Sequence, residues 1–172
     1  MKIIISPAKK MNIREDELEW ADLPCFLSRA EELKKYIQGL DLEQARKLWQ
    51  CNETIARLNY RRFQDMDLER RLTPALLSYE GIQYQYMAPG VFEQGQWDYV
   101  QEHLRILSGF YGILKPLDGI VPYRLEMQAK VELPSGIKSL YDYWGSAICR
   151  ELAADETLIV NLASKEYSRA VE

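Results

Sequence analysis

The chain is organised around the stretch Leu107-Ser-Gly-Phe-Tyr-Gly-Ile-Leu-Lys-Pro-Leu-Asp118, which continues through Val121-Pro-Tyr-Arg-Leu-Glu-Met127. This central stretch combines three glycines, two prolines, two tyrosines and four charged residues with large apolar side chains. Gly109 and Gly112 allow a sharp turn or the close approach of another backbone. The alternation over residues 123–127 predicts a strand, continuing to about Val131, with Arg124 and Glu126 on one face. The pattern fits a buried turn with a structural Arg–Glu pair and, equally well, one wall of a binding site.

Composition narrows the possible classes of protein. The 172 residues are 47% hydrophobic and 28% charged, which predicts one globular domain over residues 1–172. The longest apolar runs are too short for a membrane span or a signal peptide, so we expect a cytoplasmic protein with no membrane partner. Three well-separated cysteines predict free thiols, and a single histidine argues against a His-based metal site. We therefore predict no metal and no cofactor. The net charge of −4 disfavours a surface covered in basic residues but allows a local basic patch.

Two short apolar runs, residues 2–5 and 158–160, predict buried strands that end in polar loops. Ser6 and Lys9 follow the first strand, and Ser164 and Lys165 follow the second. Ligands of such sheets bind beyond the carboxyl ends of the strands, so the two loops should converge if the strands are neighbours.

Arg124, Glu126 and Lys115 are the natural further contributors to this convergence. Serine hydroxyls together with Lys and Arg side chains suit a phosphate or a carboxylate. A simpler interpretation, in which Lys9 and Lys10 are solvated side chains on a proline turn, stays open.

The segment over residues 42–63 predicts a pair of helices. Asp41 and Gln44 form a capping box before the first helix, and Asn52 is the N-cap of the second. The second helix is predicted to bury Ile55, Leu58 and Phe63 and to expose Arg57, Arg61 and Arg62. This outline is that of a helix-hairpin-helix, in which helix N-terminal amides hold a nucleic-acid phosphate. The expected glycine pair is absent from the hairpin, and a solvated amphipathic pair is the alternative.

The remaining patterns are simpler. We predict a helix that begins at Pro24 and closes at Gly39, strands over residues 76–79 and 82–86, and a helix over residues 97–107. A further helix led by residues 140–145 is predicted to bury Trp144, Ile148 and Leu152.

Five blocks of the sequence resemble the peroxide-stress protein YaaA family. They are Ser6-Pro-Ala-Lys9, residues 107–118, Pro122-Tyr-Arg-Leu-Glu-Met127, Leu140-Tyr-Asp-Tyr-Trp-Gly145 and Asn161-Leu-Ala-Ser-Lys-Glu-Tyr167. The resemblance implies an α+β fold in which a mixed central β-sheet is wrapped by helices. Family chains run several dozen residues past the last block, through a Lys-Lys-Ala-Arg-like stretch, so residues 1–172 are expected to lack the family's C-terminal segment.

The resemblance also implies a function. Family members are cytoplasmic, take part in resistance to hydrogen peroxide, lower free intracellular iron and bind DNA through a basic cleft and a helix-hairpin-helix. The first hypothesis is therefore a stress protein that binds double-stranded DNA with little sequence preference and helps to limit iron-dependent oxidative damage. The anion-binding or nucleic-acid-binding candidates are Ser6, Lys9, Lys10, Arg57, Arg61, Arg62, Lys115, Arg124, Ser164 and Lys165.

The second hypothesis is an enzyme acting on a small anionic or nucleotide-like substrate. Lys9, Arg124 and Glu126 are its catalytic candidates, with Lys9 as base or anchor and Glu126 as acid or base. Direct iron binding is the weakest alternative, because only carboxylates would supply its ligands. A closed pocket around Lys9, Arg124, Glu126 and Lys165 would favour the enzyme, and an open groove joining Lys9 to the helix-pair arginines would favour DNA.

Overall fold

The computed structural model describes residues 1–154 and 158–172, and its main sheet has four strands in the order β6-β5-β1-β8. Strand β1 (Lys2–Ile5) is parallel to β5 (Leu104–Ser108) on one side and to β8 (Ile159–Asn161) on the other. Strand β6 (Gly112–Leu114) is antiparallel to β5. The fold is therefore α+β with a mixed sheet, as predicted.

Two short antiparallel pairs and a set of helices surround this sheet. Strand β2 (Lys10–Met11) pairs with β4 (Tyr79–Glu80), and β3 (Thr73–Pro74) pairs with β7 (Gly119–Ile120). The helices of the described residues are α1 (Leu27–Gln38), α2 (Leu42–Trp49), α3 (Glu53–Gln64), α4 (Ala75–Ser78), α5 (Ile82–Met87), α6 (Gln94–His103), α7 (Leu140–Trp144), α8 (Ala147–Ala153) and α9 (Lys165–Ser168), with a 3₁₀ turn at Pro89–Val91.

The two predicted buried strands have different environments. In β1, Ile4 and Ile5 are each 1% exposed, and β1 has a neighbouring strand on both sides. Strand β8 is not buried, and that prediction was wrong: Ile159 and the preceding Leu158 are 38% and 57% exposed. Within the described residues β8 pairs only with β1, so one of its edges has no strand beside it.

The helix pair begins where its capping residues predict. The Gln44 amide donates to Asp41 Oδ1 at 2.8 Å, and the Asp41 amide donates to Gln44 Oε1 at 2.9 Å. The amide of Ile55 donates to Asn52 Oδ1 at 2.9 Å. Both helix starts are confirmed because these hydrogen bonds satisfy amides that a helix leaves unpaired.

The inward face of α3 differs from the predicted one. Ala56, Asn59 and Phe63 are buried, whereas Ile55 is half-buried and Leu58 is 50% exposed. The helix is rotated so that a small and a polar residue share the inner face with Phe63, a choice that hydrophobic periodicity alone does not indicate. Leu58 lies instead on the same outer surface as the arginines.

The central stretch forms a tight β5–β6 connection, and both of its first two glycines are required there. A Cβ on Gly109 would lie 2.6 Å from the carbonyl oxygen of Leu125, so only glycine allows this approach. Gly112 has a φ of +79°, and a Cβ there would lie 2.8 Å from the ring of Trp144. The Ser108 hydroxyl accepts the amides of Phe110 and Tyr111 and holds the turn between the strands.

Residues 123–131 do not form the predicted strand, because the described sheets offer this segment no pairing partner. The predicted alternation is nevertheless present over residues 123–127. Tyr123, Leu125 and Met127 are buried, while Arg124 and Glu126 are partly exposed. The backbone of residues 125–127 passes against Gly109, and the burial of alternate side chains leaves Arg124 and Glu126 on the outer face.

Two further strand predictions were wrong. Residues 75–78 form the buried helical turn α4, and residues 82–87 form α5, so only Tyr79–Glu80 is a strand. In α5, Tyr84 is buried, whereas Ile82 and Tyr86 are 74% and 88% exposed. Short aromatic and β-branched runs favour strands by propensity, but the surrounding fold decides their conformation.

The later helices are shorter than predicted. Helix α6 ends at His103 because Leu104 pairs with Ile3 as the first residue of β5. The predicted helix from residue 140 is two helices, since Gly145 ends α7 with a φ of +50°. The predicted inward residues Trp144, Ile148 and Leu152 are all buried. Among residues 1–154 and 158–172, none of the helices combines the length and the apolar character needed to cross a membrane.

Candidate functional site

The loops after β1 and β8 meet at the carboxyl end of the sheet. The two strands are parallel neighbours, with Ile4 opposite Asn161. The amide of Ser164 donates to the hydroxyl oxygen of Ser6 at 2.8 Å, and the two hydroxyl oxygens are 3.2 Å apart. The predicted convergence of the two serine loops is therefore confirmed.

Arg124 and Glu126 form the facing wall of a pocket of about 160 Å³, which we call the serine pocket. Lys9 Nζ lies 2.7 Å from Glu126 Oε1, with the lysine side chain 65% exposed and the glutamate side chain 16% exposed. The Nε atom of Arg124 is buried and has no hydrogen-bond partner within the residues that the structure describes. Arg124 lines the pocket and forms no ion pair with a described residue, so the remaining N–H groups of its guanidinium are available to a ligand.

Buried tyrosines hold the walls of the serine pocket. The Tyr84 hydroxyl donates to the carbonyl oxygen of Ser6 at 2.8 Å. The hydroxyl of Tyr123, whose ring lines the pocket, lies 2.7 Å from both the Tyr79 hydroxyl and the Ser108 hydroxyl. Because these contacts are buried, they restrain the two residues that flank the ligand space.

Sequence reasoning missed Glu166, whose carboxylate also lines the serine pocket. Burial raises the pKa of the Glu166 carboxyl above its ordinary value; the hydrogen bond from the amide of Gln128 and the charge of Lys9 lower it, while neighbouring Glu126 raises it. The Tyr141 hydroxyl donates to the Glu166 carbonyl oxygen at 2.7 Å and secures this turn. The block that contains Ser164 also contains Glu166 two residues later, and this spacing was the available signal.

The α2–α3 connection lies close to the serine pocket. Burial raises the pKa of the Cys51 thiol, and the positive charge of nearby Arg124 opposes this rise. Cys51 therefore shares the electrostatic environment of the pocket wall. The cysteines of the described residues, Cys25, Cys51 and Cys149, are free thiols.

Among the candidate cations, Lys9 and Arg124 line the serine pocket and the other six lie outside it. Lys10 Nζ pairs with Glu80 at 3.0 Å, and Arg57 pairs with Glu53 at 2.6 Å within α3. Lys165 is an exposed first residue of α9 and does not line the pocket. Lys115 was expected to converge with Ser6. It follows β6, however, which is two strands away from β1 and antiparallel to β5, so Lys115 lies toward the other end of the sheet from Ser6.

Lys115 instead lines a separate cavity of about 250 Å³ that also contains Asp118, Cys25, Arg105 and Glu151. Asp118 is 4% exposed, and its carboxylate accepts the amide of Lys115 at 2.9 Å. Burial raises the pKa of Asp118 to about 7, which the hydrogen bond and the charge of Lys115 oppose only partly.

Two of the predicted arginines of α3, Arg61 and Arg62, line an open groove of about 540 Å³, the arginine groove. Its cationic walls are Arg61, Arg62, Arg70 and Arg71, and Glu15, Asp65 and Asp67 also line it. Arg71 pairs with Glu15 at 2.9 Å, and burial lowers the pKa of Arg62. Val121 and Pro122 line this groove, and the residues that follow them line the serine pocket.

Comparison with known proteins places the chain in a family. A family model described as "Peroxide stress protein YaaA" matches residues 1–172. UPF0246 protein DSY0297 of Desulfitobacterium hafniense (strain Y51) is 57% identical over 172 residues, which are 100% of this chain and 68% of the relative. A UPF0246 protein of Agathobacter rectalis is 52% identical over 100% of this chain and 69% of the relative. A UPF0246 protein of Lachnoclostridium phytofermentans is 54% identical over 100% of this chain and 67% of the relative. The chain therefore belongs to the peroxide-stress protein YaaA family, which is also named UPF0246.

Proposed function

We propose that this protein acts in the cytoplasmic response to hydrogen peroxide by binding a small anionic ligand in the serine pocket. The family description supports the link to peroxide stress. The observation that carries the ligand proposal is the meeting of two serine hydroxyls with Arg124, a pocket residue that forms no ion pair with a described residue. Convergent hydroxyl and guanidinium donors match the acceptor oxygens of a phosphate or a carboxylate.

The position of the pocket in the sheet supports the same proposal. From β1 the chain leads first to β5 on one side and returns later to β8 on the other side. Open sheets with parallel strands bind ligands outside the carboxyl ends of the strands where the strand order reverses. The two serine loops lie at that point.

A more specific version of the proposal is that the residues of the serine pocket catalyse a reaction of the bound ligand. Lys9 and Glu126 are in contact at 2.7 Å, so a proton can pass between them directly or through a bound ligand. Lys9, Arg124 and Glu126 keep the roles predicted from the sequence, with Lys9 as base or anchor, Arg124 as anion ligand and Glu126 as acid or base.

The test is a calorimetric titration of the protein with inorganic phosphate and with pyrophosphate. We expect saturable binding that Arg124→Gln weakens by roughly tenfold, the loss of one charge-assisted hydrogen bond. Lys9→Ala should also weaken binding. Lys10→Ala is its matched control, because Lys10 is the neighbouring lysine but pairs with Glu80 outside the pocket. Absence of binding by the unmodified chain contradicts the proposal.

DNA binding is the second candidate, and the arginine groove favours it. Four arginines line one open groove, and the exposed Leu58 beside them offers an apolar surface for a sugar or a base. In the first hypothesis from the sequence, the protein protects DNA by binding to it, because DNA is the molecule that iron-dependent oxidation damages. The serine pocket ranks first because Lys9 and Arg124 line a compact pocket and not this groove.

Duplex binding at two salt concentrations separates the two candidates. DNA held by the groove should bind with little sequence preference, and its affinity should fall steeply with salt. Replacing Arg61 and Arg62 together by Gln should lower the slope of log affinity against log salt by roughly two, about one for each lost phosphate contact. Arg57→Gln is the control on the same helix, since Arg57 lies outside the groove and is paired with Glu53. Equal salt slopes for the double variant and the unmodified chain contradict groove binding.

A further inference from the structure

The serine pocket carries balanced charge, which limits the ligands that suit it. Among the residues that the structure describes, two cations, Lys9 and Arg124, and two carboxylates, Glu126 and Glu166, line it. Lys9 and Glu126 already satisfy each other at 2.7 Å. Arg124 is then the cation, and Glu166 the carboxylate, that forms no ion pair with a described residue.

A purely anionic ligand interacts favourably with the cations of the pocket but not with its carboxylates. Its charge is attracted to Arg124, but it also meets the two carboxylates of Glu126 and Glu166 in a small, partly buried space. Like charges at short range oppose binding, and the low local dielectric strengthens this repulsion. A ligand that brings a positive group to Glu166 removes the repulsion between the two glutamates as well.

We infer that the natural ligand of the serine pocket is a small zwitterion, in which one anionic group and one protonated amine lie a few bonds apart. This inference rests on the proposed function, because it assumes that the pocket binds an anionic group. The anionic group contacts Arg124 and the hydroxyls of Ser6 and Ser164. The amine contacts the carboxylate of Glu166, with Glu126 next to it.

The size of the pocket agrees with a compact ligand. Its volume of about 160 Å³ is below the roughly 300–1,000 Å³ of pockets for drug-sized ligands. Such a space suits an amino acid or an aminoalkyl phosphate better than a whole nucleotide.

The experiment compares two ligands that differ only by the amine, O-phosphoethanolamine and ethyl phosphate, by calorimetry on the unmodified chain. We expect the amine-bearing ligand to bind roughly tenfold more tightly, which corresponds to one charge-assisted hydrogen bond. Glu166→Gln should bring the two affinities together, while ethyl phosphate binds at least as well as before. Glu132→Gln, an exposed carboxylate outside the pocket, should leave the preference unchanged.

The outcomes test the anion pocket and the zwitterionic ligand separately. Binding of neither ligand removes both the anion pocket and the zwitterion. Equal binding of the two ligands by the unmodified chain overturns the zwitterion and leaves the anion pocket standing, and this comparison needs no variant to fold. A preference for the amine that survives in Glu166→Gln overturns the assignment of the amine to that carboxylate.

Discussion

Ser6 and Ser164 are 158 residues apart in the chain, yet their hydroxyl oxygens lie 3.2 Å apart, and the Ser164 amide donates to Ser6 Oγ. The Ser6 hydroxyl therefore has two roles. It holds the loop that follows β8, and it also faces the serine pocket. Removing it tests whether the two loops depend on each other.

Ser6→Ala should weaken phosphate binding by roughly five- to tenfold and lower the free energy of unfolding by about 1 kcal/mol. The hydroxyl is lost both to the ligand and to the Ser164 amide. Calorimetry and urea unfolding measure the two effects. Ser28→Ala is the control, because Ser28 is an exposed serine of α1 away from the pocket. Unchanged affinity for phosphate in Ser6→Ala would show that the hydroxyl does not face the ligand.

Gly109→Ala should destabilise the protein by about 1–3 kcal/mol, the range for forcing extra atoms into a packed interior. Its Cβ would lie 2.6 Å from the Leu125 carbonyl oxygen and 2.9 Å from the carbonyl carbon of Glu126, and backbone atoms there cannot move aside cheaply. Gly95→Ala is the same substitution within helix α6, where a Cβ meets nothing within 4 Å. It should stabilise the protein by about 0.5–1 kcal/mol. Urea unfolding that moves both variants in the same direction contradicts this account.

Asp118 should make stability depend on pH. Burial raises its pKa to about 7 in the folded protein, whereas the unfolded value is about 3.9. Between pH 4 and 7 the folded state holds a proton that the unfolded state has lost, so stability falls as the pH rises through this window. Asp118→Asn keeps an oxygen for the Lys115 amide but does not titrate. Relative to that of the unmodified chain, the free energy of unfolding of the variant should therefore rise by as much as about 4 kcal/mol between pH 4 and 8.

The measurement is urea unfolding of both proteins at several pH values, with the difference in unfolding free energy plotted against pH. Other titrating groups cancel in this difference, because they are shared by the two chains. A difference that stays constant from pH 4 to 8 rules out a raised pKa at Asp118.

Tyr123→Phe should cost about 1–3 kcal/mol of unfolding free energy, although the ring is kept. The Tyr123 hydroxyl lies 2.7 Å from those of Tyr79 and Ser108 in a fully buried network, and its loss leaves these partners short of a hydrogen bond. Tyr86→Phe is the control, since Tyr86 is 88% exposed and should change stability by less than about 0.5 kcal/mol. Thermal or urea unfolding that gives the same value for both variants argues against the network.

Features decided by nearby residues could be predicted from the sequence. The Asp41 and Asn52 caps rest on interactions within one turn, and the Gly112 requirement rests on the left-handed backbone of its own turn. The meeting of Ser6 with Ser164 was also predictable, because polar loops that follow parallel neighbouring strands lie at one edge of the sheet.

Features decided by distant partners could not be predicted. The alternation over residues 123–127 was right about burial, but a strand also needs a neighbouring strand, which lies elsewhere in the chain. The exposure of β8 depends on what stands beside it, and the placement of Lys115 depends on the antiparallel direction of β6. Glu166 was missed because nothing in its neighbours shows that it faces Glu126, which is 40 residues earlier in the sequence.

The contact between Lys9 and Glu126 has a consequence for how ligand binding responds to ionic strength. A ligand anion that draws Lys9 away from Glu126 replaces one ion pair by another, so the number of ion pairs hardly changes. Salt screens the old pair and the new pair alike, and the two effects oppose each other. A small ligand then gains only the one net ion pair with Arg124, so its affinity should fall with salt far less than that of a polyanion held by several cations. Exchange of partners by the exposed Lys9 thus gives the pocket a tolerance to salt that an array of unpaired cations lacks.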